Sequence, residues 1–172
     1  MDKQPLEFLC KMALKFGARD AKAIKVSSIK TAAWVRNKCQ YGCSGFGESL
    51  TCPPYSPTPE QTQKILSFFK KAILIHCDTN SKKDISDIVV KIEREAFLSD
   101  FYKAQAMGAG PCRLCSDCSL KPGRCRHPEK ARPCMEACGI DVYQTARNNG
   151  FKIEVVKSHR SKANYFGVVL IE

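Results

Sequence analysis

Cysteine is the residue type here whose number and spacing could do chemistry: eleven of them stand in 172 residues. Cys112, Cys115 and Cys118 follow one another at two-residue gaps, and Cys125 comes after a gap of six. Three thiols so spaced let one tight loop wrap a cubane iron-sulfur cluster, presenting thiolates to three irons while backbone N–H groups turn toward the sulfurs. An earlier set, Cys39, Cys43 and Cys52, has gaps of three and eight and is followed by Pro53 and Pro54. The two prolines stiffen the exit of that loop and bring no backbone donor of their own. Cys134 and Cys138 form a third set. Residues four apart share one helical face, so both thiols could serve one site if a helix begins near Pro133.

Counting Cys39, Cys43, Cys52, Cys112, Cys115, Cys118, Cys125 and Cys138 gives eight thiolates, the requirement of two 4Fe-4S clusters; Cys134 is a ninth candidate. Which cluster Cys125 and Cys138 each serve stays open, because in bacterial ferredoxins the fourth cysteine of such a run can cross to a second cluster. Here the last gap is longer than theirs and no proline follows Cys125. Structural zinc is the main alternative, since it also takes four thiolates and uses C-x2-C half-sites. Zinc sites draw on two separated pairs, whereas C-x2-C-x2-C adds a third thiol from which a single tetrahedral ion gains little. Thiol chemistry without metal is the remaining option.

The chain is long enough to bury a core without covalent staples. It shows no signal-peptide pattern and no apolar run of membrane-spanning length, so a cytoplasmic, non-membrane protein is the expectation. In a reducing compartment thiols hold metal more readily than they form disulfides. The net charge of +11 invites a polyanionic partner. Two oxidised clusters, each carrying about two negative charges with its thiolates, would lower it to about +7. Arg113, Lys121, Arg124, Arg126, His127, Lys130 and Arg132 surround the later cysteines. They would neutralise a cluster anion or dock an acidic redox protein. Nucleic acid is not favoured as partner, because the basic stretch over residues 1–38 lacks interleaved aromatics for base stacking.

To position these thiols, the pattern predicts a single α+β domain over 1–172, a small mixed or antiparallel sheet with helices on one face, and cluster loops at 39–57 and 110–139. Helices are predicted at 5–16, from Thr58 through Phe69 with Thr58 and Gln61 as a capping box, from Asp84 to Met107, and at 141–149. Strands are predicted at 21–29, from Ala72 through "AILIHC", and at "FKIEVV" and "YFGVVLIE" joined by the turn "KSHRSKAN". Cys10 and Cys77 fall on apolar stretches and read as core thiols, and His76 reads as structural.

The stretches "YGCSGFGESLTCPPYSP", "GPCRLC", "CRHPEKARP" and "MEACGIDVYQTA" resemble the predicted metal-binding proteins of the family called domain of unknown function 2284, found largely in anaerobes. The similarity covers about Lys22 to Ile171. It implies a cysteine-coordinated metal or iron-sulfur protein without naming a reaction. Cys134 stands where the family's "RPSMEA" phrase has serine. The leading expectation is an electron-transfer protein with two 4Fe-4S clusters. An enzyme with an open iron on the cluster of Cys39, Cys43 and Cys52, acting on a small molecule or sulfide, is the second. A structural zinc module binding nucleic acid or protein is the third.

Overall fold

The computed structural model describes residues 6–121, 123–158 and 160–172; Pro5 and His159 lie outside them. Strand β2 (Lys71–Asp78) is the centre of the sheet because it is apolar on both sides. Ala72 and Leu74 belong to one core layer, and Ile73, Ile75 and Cys77 to the other. Burying each such Ile or Leu contributes about 1.5–3 kcal/mol, so a strand of this composition is stable only when covered twice. It pairs antiparallel with β1 (Asp20–Lys25) on one edge and with β4 (Asn164–Leu170) on the other. β3 (Gln105–Met107) completes the order β1-β2-β4-β3, pairing antiparallel with β4.

Helices α1 (Leu6–Lys15) and α4 (Ile85–Leu98) cover one face with Leu9, Ala13, Ile88, Val89, Ile92 and Ala96. Gly167 in β4 permits the close approach of α4: a Cβ there would stand 2.7 Å from Val89 Cγ1 and 3.0 Å from the Met107 carbonyl oxygen. Helices α3 (Pro59–Leu66) and α5 (Val142–Asn148) and the segment around Met135 to Ile153 cover the opposite face. The α+β class and single small sheet agree with expectation, but helices lie on both faces, not one. Two-sided apolar strands leave no face for solvent.

Other boundaries shift too. Helix α2 (Ala33–Gly42) occupies the start of the expected 39–57 loop; among its residues only Val35 is buried, so no apolar period announces it. α4 ends at Leu98, and Asp100 at φ 67° turns the chain back to lay β3 beside β4. β1 stops at Lys25, where a single 3-10 turn (Val26–Ser28) follows. α3 ends at Leu66, short of Phe69. "FKIEVV" forms no strand, although Phe151 and Ile153 are buried. The capping box holds: Thr58 Oγ1 accepts from the Gln61 amide at 3.2 Å, and the Thr58 amide donates to Gln61 Oε1 at 2.9 Å. Among the described residues no helix is long and apolar enough to cross a membrane.

Candidate metal centre

Three separate stretches carry the candidate thiols, and Arg36 of α2 ties the first to the last. Its Nη1 donates to the Ala137 carbonyl at 2.8 Å, the Pro57 carbonyl at 3.0 Å, Ser56 Oγ at 3.1 Å and the Ser56 carbonyl at 3.3 Å. Buried Ser56 donates its own hydroxyl to the same Ala137 oxygen at 2.7 Å. Cys39 lies one helical turn beyond Arg36, so the clamp sets α2, the loop after Cys52 and the 134–138 turn against one another. That turn is held from its other end as well: Gly108 makes a parallel bridge to Cys134, its amide donating to the Pro133 carbonyl at 2.9 Å and its carbonyl accepting from the Met135 amide at 3.0 Å.

The result is a cavity of about 340 Å³ whose wall includes Cys39, Cys43, Cys52 and Cys134. Trp34, Phe46 and Tyr143 supply much of its apolar remainder, and Glu136 also lines it. The Gly45 amide donates to Cys43 Sγ at 3.4 Å and the Ala137 amide to Cys134 Sγ at 3.3 Å. Cys39 Sγ lies 3.9 Å from the Glu136 carbonyl oxygen.

A second cavity, about 210 Å³, is ringed by Cys112, Cys115, Cys118 and Cys125. Here the His127 amide donates to Cys125 Sγ at 3.4 Å, and the Leu50 amide reaches across from the earlier loop to Cys118 Sγ at 3.3 Å. Arg126 closes the ring by donating to the Asp117 carbonyl. Gly45 and Pro111 line both cavities, so the two thiol groups share a wall. A Cβ on Gly45 would stand 3.5 Å from Pro111 Cβ, 3.6 Å from Cys43 Sγ and 3.9 Å from Cys52 Sγ.

Of the eight thiols counted from the sequence, seven line the two cavities and Cys138 lines neither. Cys138 is fully buried in the core beneath the 136–138 turn. Cys134, the ninth candidate, stands in the first cavity instead. Cys77 is core, Cys10 packs against the same layer, and His76 stacks on Phe166 at 4.8 Å and bonds Asn164 at 2.8 Å. Arg132 belongs to no free rim: its guanidinium grips the Glu93 carboxylate of α4 at 2.6 Å. Arg113, Lys121, Arg124 and Lys130 are exposed.

A family model described as "Predicted metal-binding protein (DUF2284)" matches residues 22–171 of this chain. The chain belongs to the DUF2284 family. No curated protein and no solved structure matches it.

For a DUF2284 protein, the question is what these thiols can hold. Burial pushes the thiols of Cys39, Cys112 and Cys134 above their ordinary value, Cys134 strongly, with neighbouring thiols adding to the shift. Burial also raises Cys138, to about 12, against the lowering influence of Arg36. The metal-free thiols of Cys39, Cys112 and Cys134 are therefore held in the protonated form, and binding a metal through them must release those protons. Soft thiolate donors suit zinc or iron-sulfur clusters. Among the described residues no group of three Cys, His, Asp or Glu side chains is arranged to hold a metal ion. Backbone amides aimed at sulfurs are the feature that suits an anionic cluster, because such bonds stabilise the thiolates and set the potential. Arg36, Glu136, Gly45 and Leu50 escaped the sequence reading. Only Arg36 left a trace, one turn before Cys39.

Proposed function

We propose that this DUF2284 protein is an iron-sulfur protein with two four-cysteine centres, the first held by Cys39, Cys43, Cys52 and Cys134 and the second by Cys112, Cys115, Cys118 and Cys125. The observation that carries it is the grouping of eight thiols, four to a cavity, with main-chain amides donating to Cys43, Cys118, Cys125 and Cys134. Such clusters supply one-electron chemistry when bound. Around them the chain's own residues hold the sulfurs in position and donate hydrogen bonds that favour the thiolate form. Because Gly45 and Pro111 wall both cavities, electron exchange between the two centres is part of this reading. An electron carrier is the activity we assign, with an acidic redox protein as partner at the exposed cations Arg113, Lys121, Arg124 and Lys130.

Cys134 replaces Cys138 in this assignment. Cys138 is fully buried beneath the 136–138 turn and lines neither thiol cavity, whereas Cys134 lines the first. Anaerobic loading of the chain with iron and sulfide, followed by reduction and electron paramagnetic resonance, tests the reading. Two interacting paramagnetic centres are expected from the intact chain and one from Cys134→Ser or Cys115→Ser. A sample that takes up iron and sulfide but cannot be reduced would count against electron transfer.

A further inference from the structure

A third cavity, of about 380 Å³, contains none of the eight assigned thiols. Gly110 and Pro111 line both it and the first thiol cavity. Its charged lining is Lys82, Lys83 and Arg113 against Asp78 and Asp84. Both acids are already answered. Asp78 Oδ1 accepts from the Asn80 amide at 2.9 Å, and its Oδ2 lies 3.7 Å from Nε of Arg19, a cation outside the cavity wall. Asp84 caps α4, accepting from the Ser86 amide at 2.8 Å. The cations are not answered: among the described residues none of the three side chains makes a hydrogen bond or ion pair, and all three are exposed. The stem of Lys83 packs over Gly17, where an added Cβ would stand 3.2 Å from its Cγ. Like charges gathered around one concavity repel one another and raise the local concentration of anions.

We propose that this cavity binds a small molecule carrying a phosphate monoester. Three cations suit a dianion better than the single charge of a carboxylate. The planar fork of Arg113 matches two phosphate oxygens, and the two lysines neutralise the group as point charges. Thr79 and Tyr165, also in the wall, bring hydroxyls that can donate to the same group. The volume falls in the range of about 300–1,000 Å³ usual for small-molecule sites. Lys121, Arg124 and Lys130, the other cations assigned to a redox partner, line none of it. The site does not depend on whether the thiols hold metal. Arg113 stands between Cys112 and Cys115 in the chain, so the ligand would lie beside the second thiol loop.

Equilibrium dialysis of the full chain, purified without oxygen, against radiolabelled inorganic phosphate at constant ionic strength tests this. Saturable uptake of one phosphate per chain is expected, with glycerol phosphate displacing it at a lower concentration than unlabelled phosphate does. The Lys82→Gln/Lys83→Gln double variant and Arg113→Gln should each bind at least about 5-fold more weakly, whereas Lys121→Gln, outside the cavity, should bind as the intact chain does. These are exposed side chains, so the variants should fold, and unfolding midpoints check that they do. No saturable uptake overturns the proposal, as does failure of glycerol phosphate to displace the label. Equal weakening by Lys121→Gln also overturns it, since attraction would then be spread over the whole basic surface. Binding of a glutamate-rich peptide at the same cations without phosphate uptake would overturn it in favour of a protein partner.

Discussion

The amide of Leu50 donates to Sγ of Cys118 at 3.3 Å, joining the loop of Cys43 and Cys52 to the loop of Cys112 and Cys115. With Gly45 and Pro111 lining both cavities, this bond makes the two thiol groups one structural unit. Disturbing either loop should therefore be felt by the other.

Cys134 and Cys138 separate the account from a simple count of cysteines. Cys134→Ser is expected to halve the metal bound per chain, while Cys138→Ala leaves metal unchanged and costs about 1–3 kcal/mol through the small cavity it opens. Metal analysis and denaturant unfolding of both variants check this.

Arg36→Ala removes the donor shared by Ser56, Pro57 and Ala137. Charged hydrogen bonds to buried carbonyls are strong, so a loss of about 2–4 kcal/mol is expected. Arg36→Lys should recover part of it, because all four bonds come from the single Nη1 and an ammonium can supply such a donor only over a shorter reach. Equilibrium unfolding of the three proteins measures the difference.

Gly139→Ala meets two obstacles at once. The residue sits at φ 75°, and a Cβ there would stand 2.5 Å from Pro59 Cγ. Left-handed strain and overpacking together should cost about 2–5 kcal/mol and pull the 136–138 turn away from α3. Weaker metal retention should accompany the lower unfolding midpoint.

Acidity enters with two signs. Cys39, Cys112 and Cys134 have raised thiol values and must lose protons to bind, so Co²⁺ affinity should rise with pH and binding should release protons into a weakly buffered solution. In the metal-free chain the raised Cys138 acts oppositely. A neutral buried thiol stabilises the fold below its ordinary value of 9.0, and that contribution is lost as pH climbs toward about 12. Unfolding midpoints of the metal-free protein should fall over that range, and less steeply in Cys138→Ala.

Much of the frame is legible in the sequence, for identifiable reasons. "AILIHC" is apolar without alternation, the mark of a strand covered on both faces, and Thr58 with Gln61 marks a helix start by hydrogen bonds local to the chain. Helix α2 is not legible, since Val35 is its one buried residue and its position depends on Arg36 reaching carbonyls 20 to 101 residues away. The second thiol group is readable from spacing because all four members lie in one short stretch. The first is not: choosing Cys134 over Cys138 depends on which way a 3-10 turn faces, and four-residue helical spacing misleads where the helix is only Glu136–Cys138.

The most direct test of the central claim is the iron and acid-labile sulfide content of the chain purified without oxygen. Two 4Fe-4S centres predict about eight irons and about eight sulfides per chain. Stoichiometric zinc with no sulfide would contradict the account.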